Sequence, residues 1–270
     1  MDRFIQKLGK IKVFKPILGV AKAFIENFGE TSVDPKRPSK VDIGPVNTMI
    51  SQNFVDGFRL RASAQTTANL SKHWFLKGYV AYGFKDRKVK GMGEVTYSFN
   101  KKDYLPREFP VNNLTFNYTN DVMAPSDRFM PTDKDNVFTS FKWTDVRHRM
   151  YDETYRLTWD KEWENGLRIN LQARTSKDKP TADLFYQPLS TGAASQQRGL
   201  YLPYIRTYDF TAGIKIQPGA SGINTKKRRI ATNHDVPIPS LGPTKGLETF
   251  CRADSNYKFT GAGHSKRIWP

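Results

Sequence analysis

The chain has almost no cysteine and no long apolar run, and each shortage narrows what it can be. Of its 270 residues, one is cysteine, Cys251. A single thiol excludes an internal disulfide framework and any zinc ribbon. No stretch approaches the roughly 18 apolar residues that a spanning helix needs, and mean hydropathy is −0.62. That excludes a classical membrane helix but not a membrane barrel, whose strands give only half their residues to lipid. Histidine is scarce too. His73, His148, His234 and His264 are dispersed without ligand spacing, so neither a metal site nor a cofactor is expected. Asp133-Lys134-Asp135-Asn136 echoes a calcium loop, yet it lacks the central glycine and the distal glutamate and reads as a polar loop. No nucleophile elbow, phosphate-binding loop or dinucleotide fingerprint is present. No catalytic residue is assigned, and the chain is not expected to be an enzyme.

Acidic charge is in deficit. Net charge is +17 with a pI near 9.8, a surplus that attracts phosphates on nucleic acid, anionic lipid or lipopolysaccharide. Lys226-Lys227-Arg228-Arg229 concentrates it in a basic run, read as a loop at a membrane rim rather than a nucleic-acid patch. The N-terminal lysines, Lys7, Lys10, Lys12, Lys15 and Lys22, interrupt every possible secretory core, and no cleavage site follows. If the remainder sits in an outer membrane, the native N-terminus is expected to lie upstream.

What the chain has in abundance is alternation. In Phe58-Arg59-Leu60-Arg61-Ala62-Ser63-Ala64-Gln65 the even positions are apolar and the odd ones polar. Successive side chains of a strand point to opposite faces, so this writes one apolar and one wet face. The pattern recurs over 57–66, 73–85, 91–100, 112–122, 137–145, 153–163, 166–176 and 206–217, with a weaker segment at 181–187. Lys85-Asp86-Arg87-Lys88 and Asn165-Gly166 read as short hairpin connections. Proline-bearing loops separate other segments, and short turns on one side with long loops on the other are a barrel habit. Residues 3–28 place Phe4, Leu8, Ile11, Ile17, Val20, Phe24 and Phe28 at helical spacings between lysines, which predicts an amphipathic helix divided at Pro16. A Pro-, Ser- and Lys-rich connector follows. The domains are thus a helical lead-in and linker over 1–38 and a barrel domain over 39–270.

Alternation alone fits either a transmembrane barrel or a soluble antiparallel sheet. Strand length favours lipid: eleven residues at about 3.3 Å, tilted by about 40°, span roughly 28 Å. Aromatic residues near strand ends suit interfacial girdles. The fold expected is therefore all-β, an antiparallel transmembrane β-barrel, incomplete at about nine strands, after an N-terminal amphipathic helix. Candidate lumen-facing residues are Arg59, Arg61, Lys77, Glu94, Arg156, Arg168, Arg174 and Lys215. Candidate lipid-facing or belt residues are Trp74, Leu76, Tyr82, Phe84, Tyr97, Trp159, Trp163, Phe210 and Ile214. Glu94, Asp160 and Glu162 fall on polar faces beside arginines, as in a wall of interleaved charge. The alternative is a soluble basic β-sheet protein that binds nucleic acid or other polyanions.

Several blocks carry a family likeness. Lys40-Val41-Asp42-Ile43-Gly44-Pro45-Val46-Asn47-Thr48 leads into Asp56-Gly57-Phe58-Arg59-Leu60-Arg61. Phe75-Leu76-Lys77-Gly78-Tyr79-Val80-Ala81-Tyr82-Gly83, Gly93-Glu94-Val95-Thr96-Tyr97-Ser98-Phe99, Asn120-Asp121-Val122-Met123 and Thr132-Asp133-Lys134-Asp135-Asn136-Val137 follow in order. Over residues 14 to 269 the series resembles the Bacteroidota outer-membrane β-barrel family of uncharacterised function whose members carry a carboxypeptidase-regulatory-like domain in front. The resemblance implies an outer-membrane location and a lumen continuous with the periplasm. Its implied partners are outer-membrane lipid, lipopolysaccharide and periplasmic proteins. Full members are longer at both ends, so this chain is expected to be a partial barrel. A sheet left open in lipid exposes unpaired backbone groups at several kcal/mol each. It is therefore expected not to insert stably alone, and heat-modifiable gel migration after detergent folding contradicts that expectation.

Overall fold

A computed structural model describes residues 27–32, 38–128, 148–181, 184–186, 202–217, 222–224, 229–231, 238–246 and 258–265. Alternating side chains select strand after strand. β1 (Gly29–Glu30), β2 (Val41–Ile43) and β3 (Ile50–Asn53) are short. The long strands are β4 (Gly57–Thr66), β5 (Trp74–Gly83), β6 (Val89–Ser98), β7 (Asn112–Met123), β8 (Met150–Glu162), β9 (Leu167–Pro180) and β10 (Ile205–Ile216). β11 (Gly222–Asn224) and β12 (Arg229–Ala231) pair as a separate two-stranded sheet. β13 (Ile238–Gly246) and β14 (Lys258–Ser265) complete the series.

Twelve strands form one sheet, ordered β1-β2-β4-β5-β6-β7-β8-β9-β10-β13-β14, with β3 also on β4. All its pairings are antiparallel. Among the described residues the protein is therefore all-β, as expected. Among the described residues the sheet is open: no pairing joins β14 to β1, β2 or β3. The expectation of about nine strands missed the short N-terminal strands and β11 to β14. The expected amphipathic helix falls mostly on residues outside the described ones. The described segment that follows is extended, with Gly29 and Glu30 paired to Ile43 and Asp42. The described residues contain 3-10 turns at Val46–Thr48 and Pro125–Arg128 and no α-helix. The strand expected at 137–145 also lies outside the described residues, and of 181–187 the described residues carry an isolated bridge, Tyr186 to Leu202.

β4 is covered along its outer side by two pieces rather than one. β2 pairs with Ala64–Thr66 and β3 with Gly57–Leu60. Between them the Gly44 N–H donates to the Ser63 carbonyl at 2.9 Å, and the Arg61 N–H to the Met49 carbonyl at 2.8 Å. The backbone of β4 thus stays paired while the chain bulges. The two short connections lie at opposite ends of the sheet, because β5 runs up into Lys85–Lys88 whereas β8 runs down into Asn165–Gly166. Lys85–Lys88 shares its end with the long β7–β8 and β9–β10 connections, so short turns do not segregate to one rim.

Gly57 opens β4 with φ +64, and a Cβ there would lie 2.9 Å from Lys85 Cβ. Both the left-handed backbone and the contact disfavour a side chain. We expect Gly57→Val to cost about 1–3 kcal/mol, read as a lowered midpoint of urea unfolding.

Candidate functional site

The sheet has one layer, yet one of its faces is buried. β4 alternates, with Arg59, Arg61 and Ser63 buried and Phe58, Leu60, Ala62 and Ala64 exposed. Nine apolar side chains are buried among the described residues against twenty-three polar or charged ones, the reverse of a soluble core. Among the described residues no second layer covers that face, and the sheet curls toward it.

A salt bridge across the sheet measures that curl. Arg59 on β4 makes a two-pronged bridge to Asp121 on β7, at 2.7 and 2.8 Å. β5 and β6 lie between them, a path on the order of 14 Å along a flat sheet. Side chains standing perpendicular to a flat sheet do not meet over that distance, so the polar face is concave. Arg59 also reaches Asp56 at 2.9 Å. Lys90 binds both Asp56 and Asp86, the latter at 2.6 Å. Asn53 donates to Asp56 at 2.9 Å, and the Tyr151 hydroxyl donates to Asp86 at 2.9 Å. The Tyr79 hydroxyl donates to Asp121, while the Arg61 guanidinium lies 3.7 Å over the Tyr79 ring. Two cations thus hold three carboxylates in a nearly dry cluster at the long-loop end. Burial pushes the Asp56 carboxyl up. Hydrogen bonds from Lys90, Arg59 and Asn53 and the Arg59 charge together outweigh burial and hold it below its ordinary 3.8.

A row of paired residues crosses the same face: Lys77, Glu94, Asn117, Arg156, Arg174 and Asp209. Asn117 donates to Glu94 at 3.3 Å, and Arg174 pairs with Asp209. Ser176 and Thr207 share a hydrogen bond of 2.6 Å. Nearer the other end Arg168 pairs with Asp160, and Thr96 meets Thr115 at 3.0 Å. There the β6–β7 connection folds inward. The buried Lys102 ammonium donates to the carbonyls of Glu108 and Pro110 at 2.5 and 2.6 Å. The Tyr104 hydroxyl donates to Asp42 on β2 at 2.9 Å. Burial lowers the Lys102 pKa from 10.5 to about 8, against the attraction of Glu108 and Glu162.

All eight residues singled out for a lumen share this concave face. Arg59 and Arg61 are buried, Lys77, Glu94, Arg156 and Arg174 half-buried, and Arg168 and Lys215 exposed. The belt candidates take the other face. Trp74, Leu76, Tyr82, Phe84, Phe210 and Ile214 are exposed there, while Tyr97 and Trp159 are half-buried. Trp163 sits just beyond β8, beneath Lys161 at 4.7 Å. Trp74, Tyr97 and Phe99 form a ring cluster with centroids 4.9 and 5.1 Å apart. Sequence reading did not single out Asp56, Tyr79, Asp86, Lys90, Asp121 or Tyr151. Asp121 does carry a signal, a charge at a polar-face position inside a strand. Among the described residues no group of three or more His, Cys, Asp or Glu is placed to hold a metal. The basic run at 226–228 and the loop at 133–136 lie outside the described residues.

The apolar convex face has a further property. One line of paired residues runs Ala62, Val80, Gly91, Asn120, Glu153, Lys177 and Arg206 from β4 to β10. On β4 this line passes through the apolar run Phe58–Ala64. On β10 it lies outside the run Tyr208–Ile216. The centre of the run thus shifts by about seven residues over six strand intervals, and at ~3.3 Å per residue and ~4.8 Å per interval the apolar band crosses the strands at about 40° to the ladder.

Replacing Arg59 with Met leaves Asp56 and Asp121 buried with fewer partners, at an expected cost of about 3–5 kcal/mol. Adding Asp121→Leu recovers part of it, so a double-mutant cycle by urea titration reads a coupling of opposite sign to the single losses. Asp56 has a folded pKa below its unfolded one. Its stabilisation is complete above about 3.8 and is lost as pH falls through the lower folded value. Lys102 acts in the opposite sense. Its charging penalty applies below about 8 and lifts as pH rises toward 10.5. Lys102→Met should remove the rise in stability over that window, seen as the difference between wild-type and variant unfolding curves.

No curated protein and no solved structure matches the chain. The family described as "Family of unknown function (DUF5686) C-terminal domain" matches residues 24–268. That match covers nearly the whole chain, and the chain belongs to this family.

Proposed function

We propose that the chain forms part of the wall of an outer-membrane β-barrel, with a structural, transport or assembly role and no catalytic activity. The resemblance to the Bacteroidota family whose barrel follows a carboxypeptidase-regulatory-like domain points the same way. The carrying observation is the oblique apolar band. Strands of membrane barrels tilt by about 35–45°, so lipid at constant depth requires the apolar stretch to slide from strand to strand. A slide equivalent to about 40° is what that tilt demands. A soluble sheet covered by a second layer has no reason to place its apolar stretch so. The buried polar face supports the same reading, because a barrel interior is wet or plugged while its exterior is apolar.

The reading is tested in detergent micelles with spin labels on a Cys251→Ser background. Labels at Leu157→Cys and Phe116→Cys should collide with oxygen, which concentrates in hydrocarbon, and be shielded from a water-soluble nickel chelate. Labels at Thr158→Cys and Thr115→Cys should not show that preference. Equal exposure of Leu157→Cys and Phe116→Cys to the nickel chelate rejects membrane embedding and returns the soluble polyanion-binding alternative.

A further inference from the structure

The convex face becomes basic where the apolar band ends on β9 and β10. Lys177 and Arg206 are directly opposed across β9 and β10. Their cationic groups lie 4.5 and 5.8 Å from the Tyr204 ring. Lys179 is opposed to Tyr151 across β8 and β9, and Lys88 lies 4.1 Å over that tyrosine. Cations and phenol rings therefore interleave along one rim, from the β5–β6 turn to the start of β10. Glu153, opposed to Lys177, is the acidic member of this stretch. At the other rim Lys161 lies on the convex face beside Trp163 and gives a basic residue for comparison.

We infer that this rim binds the phosphate groups of a phosphorylated glycolipid in the surrounding leaflet. Three features commit it to lipid rather than to a free anion. Lys177, Lys179 and Arg206 stand on the convex face rather than the concave one. They lie within a few residues of exposed or half-buried apolar side chains, Tyr155, Leu157, Tyr208 and Phe210, against which acyl chains would run. Tyrosine and lysine together also suit the headgroup level, where one end of a side chain is dry and the other wet. Each basic residue near an anionic lipid surface adds attraction. The inference rests on the membrane reading and deepens it by naming the lipid chemistry and the end of the barrel that meets it.

The test uses the full chain in zwitterionic micelles doped with a bisphosphorylated glycolipid or with its dephosphorylated form. Glycolipid retained per protein is measured after gel filtration. The phosphorylated form should be retained about tenfold or more over the dephosphorylated one. The triple variant Lys177→Gln, Lys179→Gln, Arg206→Gln should lose that preference, while Lys161→Gln at the other rim keeps it. Far-ultraviolet circular dichroism checks that each variant is folded. Equal retention of the two lipids by wild type overturns the inference whatever the variants do, and a preference that survives the triple substitution also overturns it. Displacement of the glycolipid by inorganic phosphate alone identifies a free-anion site and rejects a lipid one. If the spin labels at Leu157 and Phe116 still report hydrocarbon in these cases, the barrel reading stands without the glycolipid site; if they report water, both fall.

Discussion

The Arg59–Asp121 bridge spans two intervening strands, and the architecture follows from the curvature it requires. Among the described residues no second layer packs on the sheet. The sheet curls until β4 and β7 share an ion pair on the polar face. Asp56, Lys90, Asp86 and Tyr151 extend the bridge to the β3–β4 turn, the β5–β6 turn and the start of β8. The curl and the network depend on each other: flattening separates the partners, and unpartnered charges on a dry face oppose the curl.

Buried ions are costly unless each charge is matched. Asp121 receives two prongs from Arg59, the Tyr79 hydroxyl and its own following N–H. Glu108 accepts N–H groups from Asp103, Tyr104 and Leu105, which fixes the β6–β7 connection while Lys102 caps carbonyls of the same turn. These carboxylates are thus satisfied locally, by hydrogen bonds rather than by packing of apolar side chains. That is the balance expected of a surface sheltered by its own curvature, and it leaves the apolar side chains on the convex side.

Seven of the long strands were legible, and β4 was read with its observed bounds. Their alternation is a property of adjacent residues and needs no knowledge of neighbours. The faces of Arg59, Glu94, Arg174, Leu76 and Ile214 followed at once. β13 was not legible. Its segment Ile-Pro-Ser-Leu-Gly-Pro-Thr-Lys-Gly contains two prolines and two glycines, which argue against a strand. β14 tolerates it through a regular ladder, while the ladder to β10 lapses between Leu241 and Thr244, where Pro243 brings no N–H. The site was half legible for the same reason. Arg59 stood out as a charge inside an alternating run, but its partner Asp121 is 62 residues away in sequence, and no local pattern pairs them.

By itself the sequence determined the class of structure and the side of the sheet on which each side chain lies, because strand periodicity is two residues everywhere. Its ordered blocks also pointed to a family of uncharacterised function. Only the tertiary structure decided how the strands stagger, how tightly they curl and which charges meet. Stagger and curl are set by hydrogen-bond register between strands and by contacts across several of them. The oblique course of the apolar band and the Arg59–Asp121 bridge both arise at that level, where distance along the chain carries no information about distance in space.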